Sequence, residues 1–137
     1  MKAFRELVER SIATGSLVGV EDLLADDVVF RSPVAFKPYP GKAITQAILN
    51  GVARVFEDFH YVGQIEDGRR SVLEFEATVD GKSVHGIDMI TIDDEGLITE
   101  FTVMVRPMSG AQALMAGMAA QFDRIEADAR AFLERRP

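Results

Sequence analysis

The sequence contains no cysteine. That removes any disulfide frame, any thiol nucleophile and any thiolate metal ligand. Histidine is scarce as well. His60 and His85 are the two present, and neither has neighbours at metal-ligand spacing. Positive charge is in deficit, with 15 Lys and Arg against 22 Asp and Glu and a net charge of −7. Such a chain repels polyanions, which argues against nucleic acid or an anionic membrane surface as a partner. No apolar run is long enough to span a bilayer. The opening MKAFRELVER is charged throughout and lacks the apolar core of a signal peptide, so a cytoplasmic location is expected. Phosphate-loop, dinucleotide and G-x-S-x-G signatures are missing, as are repeats, linkers and low-complexity segments.

What is there is ordinary for a globular protein: 47% hydrophobic and 27% charged residues. A length of 137 residues predicts a single domain over 1–137 with a real core. Phe4, Leu7, Val8 and Ile12 are at helical spacing, stopped by Gly15. Val20, Leu23 and Leu24 predict a short second helix ending near Ala25. VVFRS (28–32) reads as a strand cut off by Pro33, and the loop 33–41 holds three prolines and two aromatics. Ile44, Ile48, Val52, Val55, Phe56 and Phe59 form the stripe of a third helix. From about His60 the period changes to two. YVGQI, VLEFEATV, SVHGIDMITI and LITEFTVMV read as strands, joined by DGRR, DGK and DDEG turns. A final helix is expected from about Gly110 to Glu134, with Ser109 and Gln112 at capping-box spacing. Helices, a strand, a helix, a four-strand meander and a helix make an α+β layout, a curved sheet wrapped around helices.

One residue interrupts this pattern. Stepping by two through residues 84–92 puts Val84, Gly86, Asp88, Ile90 and Ile92 on one face and His85, Ile87, Met89 and Thr91 on the other. Asp88 therefore sits among apolar neighbours, where a carboxylate is costly unless paired or protonated. Either that face is not a closed core, or the aspartate has a task.

The stretches LLADDVVFRSP, PGKAI, GIDMITIDDEGLITEF and MVRPMSGAQAL resemble the NTF2-like superfamily, in particular its SnoaL-like branch. The resemblance covers nearly the whole chain. It implies a cone-shaped, curved antiparallel or mixed sheet with an extra C-terminal helix. It also implies that the aspartate of D-x-x-x-φ-D-x-x-G (φ apolar), matched here by Asp88, Ile92, Asp93 and Gly96, points into the mouth of the cone. The fold hosts many activities, so function has to come from the site.

Alternation then predicts the pocket walls. Val28, Phe30 and Ser32 face inward on the first strand, with Leu73, Phe75 and Ala77 on the next long one. Phe101, Val103 and Val105 do so on the last, and Ile48, Val52 and Val55 form a helical wall. The expected ligand pocket comprises Phe30, Ser32, Val52, Tyr61, Phe75, Asp88, Ile90, Phe101, Val103 and Met118. His60 or Tyr61 enters it depending on register. Phe36 and Tyr39 form a rim or simply pack their loop. Met115 and Met118 form a lid or plain core. Asp93, Asp94 and Glu95 are read as a solvated turn.

Desolvation should raise the pKa of Asp88, making it a candidate catalytic acid or base. The alternative is that it only hydrogen-bonds a tyrosine or a backbone amide. Ketosteroid isomerases of this fold carry a base aspartate where Ser32 stands and a tyrosine where Val8 stands, so steroid isomerisation is not implied. The Asp-Arg-Asp set of limonene-epoxide-hydrolase-like members is missing from the predicted inner faces. SnoaL-like polyketide cyclases, which rely chiefly on one aspartate of this strand, are the nearest match. The expected function is a small-molecule pocket protein. It is either a cofactor-free, metal-free acid/base enzyme of cyclase or isomerase type acting on a small hydrophobic substrate, a non-catalytic binder of a hydrophobic ligand, or a dimeric module with a vestigial pocket. Ile87, Met89 and Met104 alternate outward, and the resemblance implies a homodimer through that face.

Overall fold

The computed structural model describes residues 1–135. Its elements are α1 (Lys2–Ser11), β1 (Leu24–Arg31), β2 (Tyr39–Pro40), α2 (Lys42–Val55), β3 (Glu57–Asp67), β4 (Arg70–Val79), β5 (Lys82–Ile92), β6 (Ile98–Arg106), α3 (Met108–Ala119) and α4 (Phe122–Arg135). Short 3-10 turns at Ile12–Thr14 and Val20–Leu23 join α1 to β1. The strands form one sheet in the order β2-β1-β6-β5-β4-β3. The β1–β6 pair is parallel and the others are antiparallel. The sheet is curved and unclosed, the NTF2-like α+β arrangement. Its inner face packs with α1 and α2 into a common core. No helix among the described residues is long and apolar enough to cross a membrane.

Local chemistry fixes the meander. Asp80 and Gly81 both have positive φ, 50° and 74°, as a two-residue I′ hairpin requires. At the β5–β6 turn, Asp93 Oδ1 accepts the backbone N–H groups of Glu95 and Leu97 at 2.9 and 3.0 Å. This acidic cluster is thus a turn built on its first carboxylate. Between these turns β5 alternates strictly. Val84, Gly86, Asp88 and Ile90 are buried, while His85, Ile87, Met89 and Thr91 are half-buried on the convex face.

Gly86 is forced by packing. A Cβ there would stand 2.5 Å from the Met104 carbonyl oxygen and 2.6 Å from Phe75 Cζ. Neither backbone nor a fully buried ring can yield cheaply. Gly86→Ala is therefore expected to destabilise the fold by about 2–3 kcal/mol, as overpacked cores do. Urea denaturation of the two proteins reads this directly, and an unchanged midpoint would contradict the packing.

Several boundaries differ from the sequence reading. β1 begins at Leu24, which pairs with Ile98 ahead of a bulge, so the expected second helix shrinks to a 3-10 turn. Ser32 lies just beyond the end of β1. α2 ends at Val55, and Phe56 is its extended C-cap. Phe59, expected on the helix, lies in β3, because Phe56 and Phe59 stack around Phe75 of β4 at 5.5 and 4.9 Å. The single final helix is two helices broken at Ala120 and Gln121. No capping box forms: Pro107 is the N-cap of α3, with no side-chain cap bond.

Candidate functional site

Helices α1 and α2, the inner sheet face and the α3–α4 pair enclose a cavity of about 210 Å³. Of the residues expected at a pocket, Phe30, Ser32, Val52, Tyr61, Asp88, Phe101, Val103 and Met118 border it. Phe75 and Ile90 do not, which corrects the sequence reading. Both are fully buried. The rings of Phe56 and Phe59 stand between Phe75 and the cavity. Ile90, paired with Phe101, is sealed in the closed part of the core.

Other walls were not anticipated: Phe4 and Val8 of α1, Ile12 of the 3-10 turn after it, Phe56 and Phe59 after α2, and Phe122 and Ile125 of α4. Their spacing is that of any core stripe, so nothing in the sequence separates cavity wall from sealed interior. Tyr39 reaches the rim, whereas Phe36 projects fully into solvent and does not line the cavity. Met115 and Met118 both line it, with Met115 about half exposed at the opening.

Asp88 is the sole carboxylate among the lining residues, and it is buried. Its cross-strand neighbours, Leu73 on β4 and Val103 on β6, offer it no hydrogen bond. Its partner comes from β3: Tyr61 Oη donates to Asp88 Oδ2 at 3.0 Å. Burial lifts the carboxyl from 3.8 to about 7, and the Tyr61 hydrogen bond works in the opposite sense. Tyr61 moves well above its usual 10, first through burial, then through the charge and hydrogen bond of Asp88.

Two bulges bring Tyr61 inward. β3 pairs Glu57 with Thr78 and His60 with Glu76, then Tyr61 with Phe75 and Gly63 with Glu74. One extra residue is inserted on each side of the His60–Tyr61 pair. Unbroken alternation from Glu57 would send Tyr61 to the convex face. The first bulge reverses the phase and the second restores it, the re-aiming role bulges commonly play. His60 is turned outward, with Nε2 3.5 Å from Glu76.

The remaining polar residues do not converge on Asp88. Ser32 borders the cavity, but its Oγ accepts the backbone N–H groups of Val34 and Ala35 at 3.0 and 3.2 Å, closing the turn after β1. His85 lies on the convex face with Nε2 2.6 Å from Glu74. The site is thus an apolar chamber with one carboxyl–phenol pair on its sheet wall. Such a pair holds or accepts a proton near neutral pH in a water-poor setting.

Comparison with known proteins agrees with this architecture. A family model described as a SnoaL-like domain matches residues 4–101. No curated protein matches the chain. Among solved structures, a steroid delta-isomerase from Pseudomonas aeruginosa is 50% identical with a TM-score of 0.80, over 87% of this chain and 88% of that one. An uncharacterised protein with a cystatin-like fold from Silicibacter pomeroyi DSS-3 is 34% identical, TM-score 0.80, over 94% and 89% of the two chains. An NTF2-like protein of unknown function from Mesorhizobium loti, 20% identical with a TM-score of 0.61 over 74% and 89%, shares the fold. The chain belongs to the SnoaL-like domain family.

Proposed function

We propose that this protein is a cofactor-free isomerase that moves a proton within a small hydrophobic carbonyl compound, with Asp88 as acid and base. The observation that carries this reading is a carboxyl buried in an apolar chamber, with its pKa near 7. At neutral pH such a group is present in both forms, so one residue can take a proton from one carbon and return it to another. Apolar walls hold the substrate and exclude water, and the polar end of the substrate faces β5. As Asp88 takes up the proton it loses its charge and its hold on Tyr61. The phenol is then free to donate to the developing enolate oxygen. The steroid delta-isomerase that is 50% identical to this chain supports isomerase chemistry. The position before Pro33 is Ser32, engaged in the loop turn. The reading therefore assigns both proton-transfer steps to Asp88 and leaves the carbonyl compound undefined beyond being small and hydrophobic. The test is run in D2O: NMR follows migration of the double bond, and deuterium entering the carbon that receives the proton, across a panel of small β,γ-unsaturated ketones. Accelerated exchange with migration of the double bond is expected. Tight binding of these ketones with neither migration nor exchange would favour the non-catalytic binder.

We also propose a homodimer through the convex sheet face. Ile87 and Met89 are half-buried there, and Met104 is 49% exposed. Ile87 is the position to test, because it pairs across the strands with Glu74 and Met104. A carboxylate there would face both a like charge and an apolar partner surface. The wild type is expected to sediment as a dimer at micromolar concentration, and Ile87→Glu as a monomer. A monomeric wild type would end this reading.

A further inference from the structure

Arg5 of α1 lies over the ring of Tyr61. The guanidinium carbon lies 5.4 Å from the centre of the Tyr61 ring. Its Nη1 donates to Gln64 Oε1 at 2.9 Å, three residues further along β3. Its Nε is 3.5 Å from Glu9 Oε1, one turn along α1. The first of these contacts sets a cation against the phenol ring, and the other two fix the guanidinium in place.

We propose that Arg5 is a positioning residue for the cavity carboxyl: by lying over the Tyr61 ring and gripping β3 at Gln64, it holds the phenol on Asp88 and strengthens it as a donor. A cation over an aromatic face is attracted by the ring. Its field favours loss of phenolic proton density, so the hydroxyl donates more strongly to an anionic acceptor. A hydrogen bond to an ionised acceptor is stronger than a neutral one, and a low-dielectric interior amplifies it. Arg5 thereby favours the ionised form of a carboxyl it does not touch. The groups that face this relay are few. Arg5 and Glu9 of α1 act on Tyr61, Arg5 pulling the phenol's pKa down and Glu9 pushing it up. Asp88 faces Tyr61 from β5, while Leu73 of β4 and Val103 of β6 flank Asp88 without charge. The effect of Arg5 is partly offset by Glu9, so it should be modest and well defined.

The inference rests on the reading above only in taking Asp88 as the group whose protonation matters, and its test needs no turnover. The Asp88 carboxyl is titrated by 13C NMR in the wild type, Arg5→Met, Arg5→Lys, Tyr61→Phe and the Arg5→Met/Tyr61→Phe double variant. Arg5→Gln serves if Arg5→Met fails to fold. Removing the charge is expected to raise the Asp88 midpoint by about half a pH unit, the scale of a partly exposed cation–π contact. Arg5→Lys should restore most of it. In the Tyr61→Phe background, loss of Arg5 should add nothing. An unmoved midpoint in the charge-free variant overturns the proposal. So does an equal shift with and without the Tyr61 hydroxyl, which would mean a field acting directly on Asp88. A wild type without proton-transfer activity but with this coupling would overturn the isomerase reading alone. Activity without the coupling would overturn the role of Arg5 alone.

Discussion

Asp88→Asn is expected to abolish proton exchange while leaving the cavity and its ligand affinity nearly intact. The amide has the shape of the acid and can still accept the hydrogen bond that Tyr61 Oη makes at 3.0 Å. It cannot take up and return a proton. General acid–base groups contribute about 10²–10⁴-fold, and a loss of that size in the exchange rate is the predicted outcome. Binding of an unreactive ketone, followed by calorimetry, should change only a few-fold. Equal loss of binding and of rate would point to a collapsed chamber, and an undiminished rate would remove Asp88 from the chemistry altogether.

The second large effect is on stability. Burial pushes the Asp88 carboxyl up to about 7 in the folded chain, from the ordinary value of 3.8 that a solvated aspartate keeps. A raised carboxyl pKa means that the folded state holds its proton longer, so stability falls as pH rises through this window. Below 3.8 the acid is neutral in both states and costs nothing. Above about 7 it is charged in both, and the folded state carries the full desolvation cost. Each pH unit between the two midpoints corresponds to about 1.4 kcal/mol, so the penalty is on the order of 4 kcal/mol. Asp88→Asn removes it. Urea denaturation at steps from pH 4 to pH 8 should show the wild type losing stability relative to Asp88→Asn, with the gap opening across that range and then levelling. Subtracting the two profiles cancels the ordinary surface carboxylates. A gap that stays constant with pH would mean that the aspartate is ionised and satisfied throughout. In the proposed isomerase the property that serves proton transfer also weakens the fold, a trade common at active sites.

Much of the fold was legible in the sequence because its signals are local. The alternation of residues 84–92 placed Asp88 inward, and the Asp80–Gly81 pair carried its own turn geometry. The errors fall where distant packing decides. Nothing near Val55 ends a helix; the ring of Phe75, twenty residues on, draws Phe56 off the helix and Phe59 into the sheet. No glycine or proline marks the break at Ala120 and Gln121. There Gln121 reaches across to α2, its Nε2 donating to the Gly51 carbonyl and its Oε1 accepting from Arg54 Nε, both at 2.7 Å. The candidate site was half legible. Asp88 stood out as a charge among apolar residues. Tyr61 could not be assigned, because the two bulges that turn it inward leave no trace in composition. Arg5 gave no signal at all, being one charged residue among several on α1.

The family match ends at Phe101, and this divides the chamber. Asp88 and Tyr61, the groups able to move a proton, lie within the matched segment. Leu114, Met115, Met118, Phe122 and Ile125, which roof the cavity, lie beyond it. The roof of the chamber is thus written outside the stretch that carries the acid and most of the wall. A substitution in the roof alters which molecules enter without touching the acid, and a change on β5 alters the acid without reshaping the opening. Selection can explore one while the other is held fixed. In such an architecture, the likeness that identifies the family is silent about the roof.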